Sequence, residues 1–133
     1  MATSEHFSEA EVACHHCGQG AEIVSARLLE LVEQLRLNIG GYALQCNCAY
    51  RCPEHNAEVG GVPNSQHVLG TAMDIQCPPQ LTIGQFKWYA EQLPFDAIGY
   101  YPFTDENGGG FLHVDVRYGG ITTDPDDKVT WEG

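Results

Sequence analysis

Residues 111–118 constrain the fold of this chain more than any other stretch. Phe111, His113, Asp115 and Arg117 alternate there with Leu112, Val114, Val116 and Tyr118. Successive side chains of a strand point to opposite faces, so the pattern predicts a strand with one apolar face and one ionisable face. The apolar face requires a core to cover it. A histidine, a carboxylate and a guanidinium in line on the other face point to a site rather than to plain surface.

The remaining segments supply what such a strand needs. Val24, Leu28, Leu31 and Leu35 recur at helical spacing before Gly40 and Gly41, which predicts a helix over 21–38. Thr82 with Gln85 reads as a capping box, and Ile83, Phe86, Ala90 and Leu93 mark the apolar face of a second helix that stops at Pro94. Pro53 opens a short helix closed by Gly60 and Gly61, and Ser8 to Glu11 reads as a capped turn. Strands are expected over 42–47, 72–76 and 95–101, with a glycine-rich loop over 105–110 and a polar, irregular tail from about 119. Together these predict one α+β domain over 1–133: a small, mainly antiparallel sheet with helices packed on one face.

Composition narrows the partners. Apolar residues make up 43% of the chain, enough to build a core. Six basic against eighteen acidic side chains give a net charge of −12, which opposes a phosphate backbone and argues against nucleic acid. No apolar run approaches the roughly 18–20 residues of a membrane helix, and no secretory signal is visible at the N-terminus. Oligomeric state and compartment stay open.

Two histidines and one carboxylate drawn from separate elements match the protein ligands of a catalytic zinc, which keeps a further position for water. His67, Asp74 and His113 form the expected set, and the chemistry such an ion brings is hydrolysis. Arg51 and Arg117 are the cations nearest these residues in the pattern. The guanidinium of Arg51 is suited to hold a substrate carboxylate, or else one of the chain's own acids. Of the six cysteines, Cys14 and Cys17 have the gap of a metal knuckle that Cys46 and Cys48 could complete. Disulfides and unpaired thiols are the alternatives, with Cys77 read as unpaired.

The run from Tyr50 through Arg51, Cys52, Pro53, Glu54 and His55 to Asn56, then Val59 to Gly61, Asn64 to His67, Gly70, Ala72, Asp74 and Ile75, resembles the zinc D-Ala-D-Ala carboxypeptidase family. Phe111 to Arg117 looks like that family's last metal strand, and the resemblance extends from Phe7 to about Tyr118. It implies a hedgehog/DD-peptidase-like fold and a zinc ion on His67, Asp74 and His113. It also implies cleavage of peptidoglycan stem peptides at the cell wall, with Arg51 orienting the substrate carboxylate. Many relatives carry an acid or histidine shortly before the last ligand as general base, where this chain has Asn107 to Gly110. Asp115 is therefore the expected base, or equally a carboxylate that orients a ligand imidazole, with Glu106 and His55 in reserve as base.

Two rival readings accompany this one. His113-Val114-Asp115 suggests the facial triad of a non-haem iron oxygenase, but no histidine follows His113 to complete it. A non-catalytic, zinc-stabilised binding module of a phage particle or cell-wall protein is the alternative from another class.

Overall fold

The computed structural model describes residues 2–62, 65–102 and 110–132. In chain order the elements are β1 (Ala2–Ser4), β2 (Phe7–Ser8), α1 (Glu9–Val12), α2 (Ala26–Asn38), β3 (Gln45–Cys48), α3 (Pro53–Glu58), β4 (Ala72–Gln76), α4 (Ile83–Glu91), β5 (Ala97–Tyr101), β6 (Phe111–Asp115) and β7 (Val129–Glu132). Single 3-10 turns precede α2 at Ala21–Ile23 and β7 at Pro125–Asp127. Among the described residues no helix is long and apolar enough to cross a membrane.

Side-chain caps start the helices. Ser25 Oγ accepts the Leu28 N–H at 3.2 Å and starts α2, and Thr82 and Gln85 close a reciprocal box at the start of α4. Ser8 and Glu11 do the same for α1. Leu28, Leu29, Leu31, Val32 and Leu35 are the buried stripe of α2, and each such side chain removed from water contributes roughly 1.5–3 kcal/mol. Phe86 and Ala90 form the buried stripe of α4.

The main sheet has the order β3-β4-β6-β5-β7. Its first three pairings are antiparallel and β5–β7 is parallel, so the sheet is mixed. Directly paired residues carry their side chains on the same face. Met73, Ile75, Ile98, Leu112 and Val114 thus share one face, where they join the stripes of α2 and α4 in a single core. The opposite face carries Asp74, His113 and Asp115.

The α+β expectation holds, with three local differences. The strand expected over 111–118 ends at Asp115, because the Asp115 carboxylate accepts the Arg117 N–H at 3.1 Å and turns the chain out of the ladder. The first long helix starts at Ala26 rather than at residue 21. The tail, expected to be irregular, returns to the sheet as β7. Trp131 of that strand lies over Gly99, where an added Cβ would come within 2.6 Å of the indole nitrogen. Only glycine leaves room for the ring at that position. Of the expected loop over 105–110, residues 105–109, with Glu106 and Asn107, lie outside the described residues, as does Asn64.

Candidate metal centre

The register of the sheet aligns Cys48, Asp74, His113, Gly99 and Trp131 in one row across the polar face. His67 joins this row from the turn before β4, where its carbonyl accepts the Gly70 N–H at 3.2 Å and the Arg51 N–H at 3.2 Å. Both histidines are buried, His67 at 5% and His113 at 8% exposure.

Asp74 Oδ1 is the point of convergence. His67 Nε2 and His113 Nδ1 each lie 3.2 Å from it, and the two rings meet edge to face with centroids 5.2 Å apart. The second nitrogen of each ring is engaged elsewhere. His67 Nδ1–H donates to the Ala49 carbonyl at 2.8 Å, and His113 Nε2–H donates to Asp115 Oδ2 at 2.8 Å. In the neutral rings these bonds leave the lone pairs of His67 Nε2 and His113 Nδ1 directed at Asp74.

Asp115 is fully buried and spends both oxygens. Arg117 donates to it from Nη2 at 2.7 Å and from Nε at 3.0 Å. The Arg117 guanidinium also stands 5.6 Å from the Trp131 ring centroid, and Trp131 packs 4.9 Å from the His113 ring while donating from Nε1 to the Tyr101 hydroxyl at 2.7 Å. An aromatic wall thus supports one side of the centre.

The charges are strongly coupled. Burial opposes charging of His67, yet its hydrogen bonds to Asp74 and Cys48 outweigh that and raise its pKa to about 10. Burial would raise Asp74, but His113 and His67 hold it down at about 2. His113 is likewise raised by Asp115 and Asp74 against its own burial. Two imidazoles that share a carboxylate bind protons strongly, and a divalent cation can take the place of those protons.

The donor set fits zinc. Two imidazole nitrogens, each oriented through its other nitrogen, and one carboxylate are a known protein contribution to a catalytic zinc. Ligands about 2.0–2.1 Å from a tetrahedral ion lie roughly 3.3 Å apart, close to both contacts at Asp74 Oδ1. One residue of the row escaped the sequence reading in this role. The ligand atoms of Cys48, His67 and Asp74 lie within 4.8 Å of one another, and Cys48 Sγ is 3.7 Å from His67 Nδ1. Its signal was its place one strand over from Asp74, which only the register reveals.

The other expected site residues are dispersed. Arg51 sits at the end of β3, half-buried, with Nε on Asn56 Oδ1 at 3.0 Å and Nη2 3.4 Å from Ser65 Oγ. No carboxylate among the described residues pairs with it. His55 stacks on His16 and lies 3.8 Å from Glu58. Cys46, expected as a partner of the Cys14–Cys17 knuckle, is buried under Glu11, and Cys48 belongs to the row at Asp74. The residue that meets Cys14 and Cys17 is Cys52.

A mixed sheet that brings two oriented imidazoles and a carboxylate to one buried point has the build of a metallopeptidase. The Peptidase M15 family model matches residues 5–115, and the chain belongs to that family of zinc-dependent peptidases. A search of curated proteins gives no match. The matched span contains His67, Asp74, His113 and Asp115, whereas Arg117, β7 and Trp131 lie beyond it.

Proposed function

We propose that the protein is a zinc peptidase of peptidoglycan stem peptides, of the D,D-carboxypeptidase or endopeptidase type, acting at the bacterial cell wall. His67, Asp74 and His113 would hold the ion. The observation that carries this reading is the pair of 3.2 Å contacts at Asp74 Oδ1, made by two rings whose other nitrogens are already engaged. Zinc held there supplies a Lewis acid for the scissile carbonyl and acidifies water.

Arg51 would anchor the substrate carboxylate. Its backbone is bonded to that of His67, so the guanidinium keeps its position relative to a ligand. Asn56 fixes one edge of the fork, and Asn56 is itself held by the Val62 carbonyl at 2.7 Å. A side chain at Gly61 would collide with both. With no acid among the described residues paired to it, the fork is left to receive a carboxylate from outside. Asp115 would hold His113 in orientation, since its oxygens are committed to His113 and Arg117, and this replaces the base role that the sequence suggested for it.

The test is release of D-Ala from a pentapeptide by the zinc-loaded protein. Arg51→Ala is expected to raise KM about 10- to 100-fold, the worth of a charge-assisted bidentate contact, with zinc content unchanged. The same variant should lose far less on a C-terminally amidated peptide. Equal losses on both peptides would remove Arg51 from this role.

Cys48 supports the second reading. A thiolate at that place could supply a fourth protein ligand, and a closed set of four belongs to a structural zinc rather than a catalytic one. Stoichiometric zinc with no turnover of any muropeptide, and turnover restored by Cys48→Ser, would favour the binding module.

A further inference from the structure

We propose that Cys14, Cys17 and Cys52, with His16 as fourth ligand, form a second, closed zinc site that joins the N-terminal segment to the start of α3. It stands apart from the centre at Asp74 and does not depend on the function assigned there.

Cys14 and Cys17 share one segment and Cys52 lies at least 35 residues further along, yet the three sulfurs lie within 4.8 Å of one another. The backbone is arranged around two of the sulfurs, the Cys52 N–H directed at Cys14 Sγ at 3.3 Å and the His55 N–H at Cys52 Sγ at 3.4 Å. The loop that carries Cys14 and Cys17 is closed by Gly18 N–H on the Cys14 carbonyl at 2.7 Å and by Cys14 N–H on the Gln19 carbonyl at 2.9 Å. Gly18 adopts a φ of 72° to complete it, a conformation other residues rarely take. Backbone N–H groups directed at the sulfurs suit thiolates bound to a metal.

His16 supplies the nitrogen. Its Nδ1 is 3.9 Å from Cys52 Sγ, and its Nε2 faces Glu58 Oε2 at 3.8 Å. The ring lies flat on His55, with centroids 5.1 Å apart and planes inclined by 5°. A carboxylate on the far nitrogen and a stacked ring on its face orient a metal-ligating imidazole. Three thiolates and one imidazole select zinc over magnesium or calcium, and four protein ligands leave no position for chemistry. A disulfide would use only two of the three sulfurs and would leave His16 without a part in the cluster.

Such an ion would tie down Cys52, whose sulfur also accepts the His55 N–H at 3.4 Å and caps α3, and with it the neighbouring Arg51. The full chain, purified under reducing conditions without chelator, should contain two zinc ions per chain. Cys17→Ser, at an exposed position, should contain one, and Asp74→Asn should contain one as well, so failure at either site is read separately. Cobalt substitution in a Cys48→Ser background should give the intense thiolate charge-transfer absorption in the near ultraviolet, lost on adding Cys17→Ser. If Cys17→Ser does not fold, alkylation of the wild type decides, since Cys14, Cys17 and Cys52 should resist modification until a chelator is added. Zinc content that Cys17→Ser leaves unchanged, alkylation indifferent to chelator, or a disulfide within the trio in place of metal would each overturn the site.

Discussion

Asp115→Ala should weaken zinc binding about 10- to 100-fold while leaving His67, Asp74 and His113 in place, the usual consequence of removing the group that orients a ligating imidazole. The carboxylate is fully buried between His113 Nε2 and the Arg117 fork. Its removal frees the imidazole to turn and strips Arg117 of its partner. Breaking a buried ion pair from one side costs about 3–5 kcal/mol, so the variant should also melt earlier in urea. Asp115→Asn is the informative companion, because the amide oxygen can still accept from His113 while the charge opposite Arg117 is gone. If Asp115 positions His113, saturating zinc should restore most of the Asn variant's turnover, and the acidic limb of its pH–rate profile should persist. If Asp115 moves the proton, zinc should bind normally while the rate falls about 10²- to 10⁴-fold and the acidic limb disappears. A competitor-chelator titration and a pH profile separate the two.

The elements that were legible in the sequence are those in which local chemistry and burial agree. Ser8 and Thr82 start their helices through bonds made within three residues, and the alternation of Leu112 and Val114 against His113 and Asp115 gave β6 and its faces. The expected ligands Asp74 and His113 are paired across β4 and β6 and so share the polar face. What was missed depends on pairing between distant segments. Nothing near Trp131 announces a strand. β7 exists because the Val129 N–H reaches the Asp96 carbonyl at 3.0 Å and starts the parallel ladder with β5. Cys46 and Cys48, rather than Cys52, are the partners that the sequence suggests for the knuckle, since spacing carries no information about direction. The register of β3 turns Cys46 to the core and Cys48 to Asp74, and only Cys52, beyond the strand, is free to meet Cys14. Asp115 shows the same limit: a place two residues after a ligand gives its face but not its partners, which are His113 and Arg117.

A buried carboxylate that no motif announced should dominate stability. Asp96 is fully buried and accepts from the backbone N–H groups of Tyr118, Gly120, Ile121 and Thr122 and from the Thr122 hydroxyl, at 2.7–3.2 Å. It gathers the whole turn after β6. Lys128 locks the same region from the other side, with Nζ donating to the carbonyls of Leu93 at 2.7 Å, Phe95 at 2.5 Å and Thr122 at 2.5 Å. Asp96→Ala leaves these donors without an acceptor and removes the negative charge that faces Lys128 and Arg117. Each buried donor stranded in this way costs about 1–3 kcal/mol, softened where water can enter. A loss of about 3–5 kcal/mol is expected, equivalent to a fall in Tm on the order of 10–20 °C for a chain of this size. The pH dependence identifies the carboxylate as the cause. Burial alone would raise its pKa, but the Thr122 hydroxyl and the four N–H groups hold it below the ordinary value. A group depressed on folding contributes its stability above the unfolded pKa, near 3.9, and loses it as pH falls through the folded value. Wild type should therefore weaken more steeply than Asp96→Asn on going below about pH 4. Parallel acid denaturation curves for the two proteins would exclude Asp96 as the group responsible.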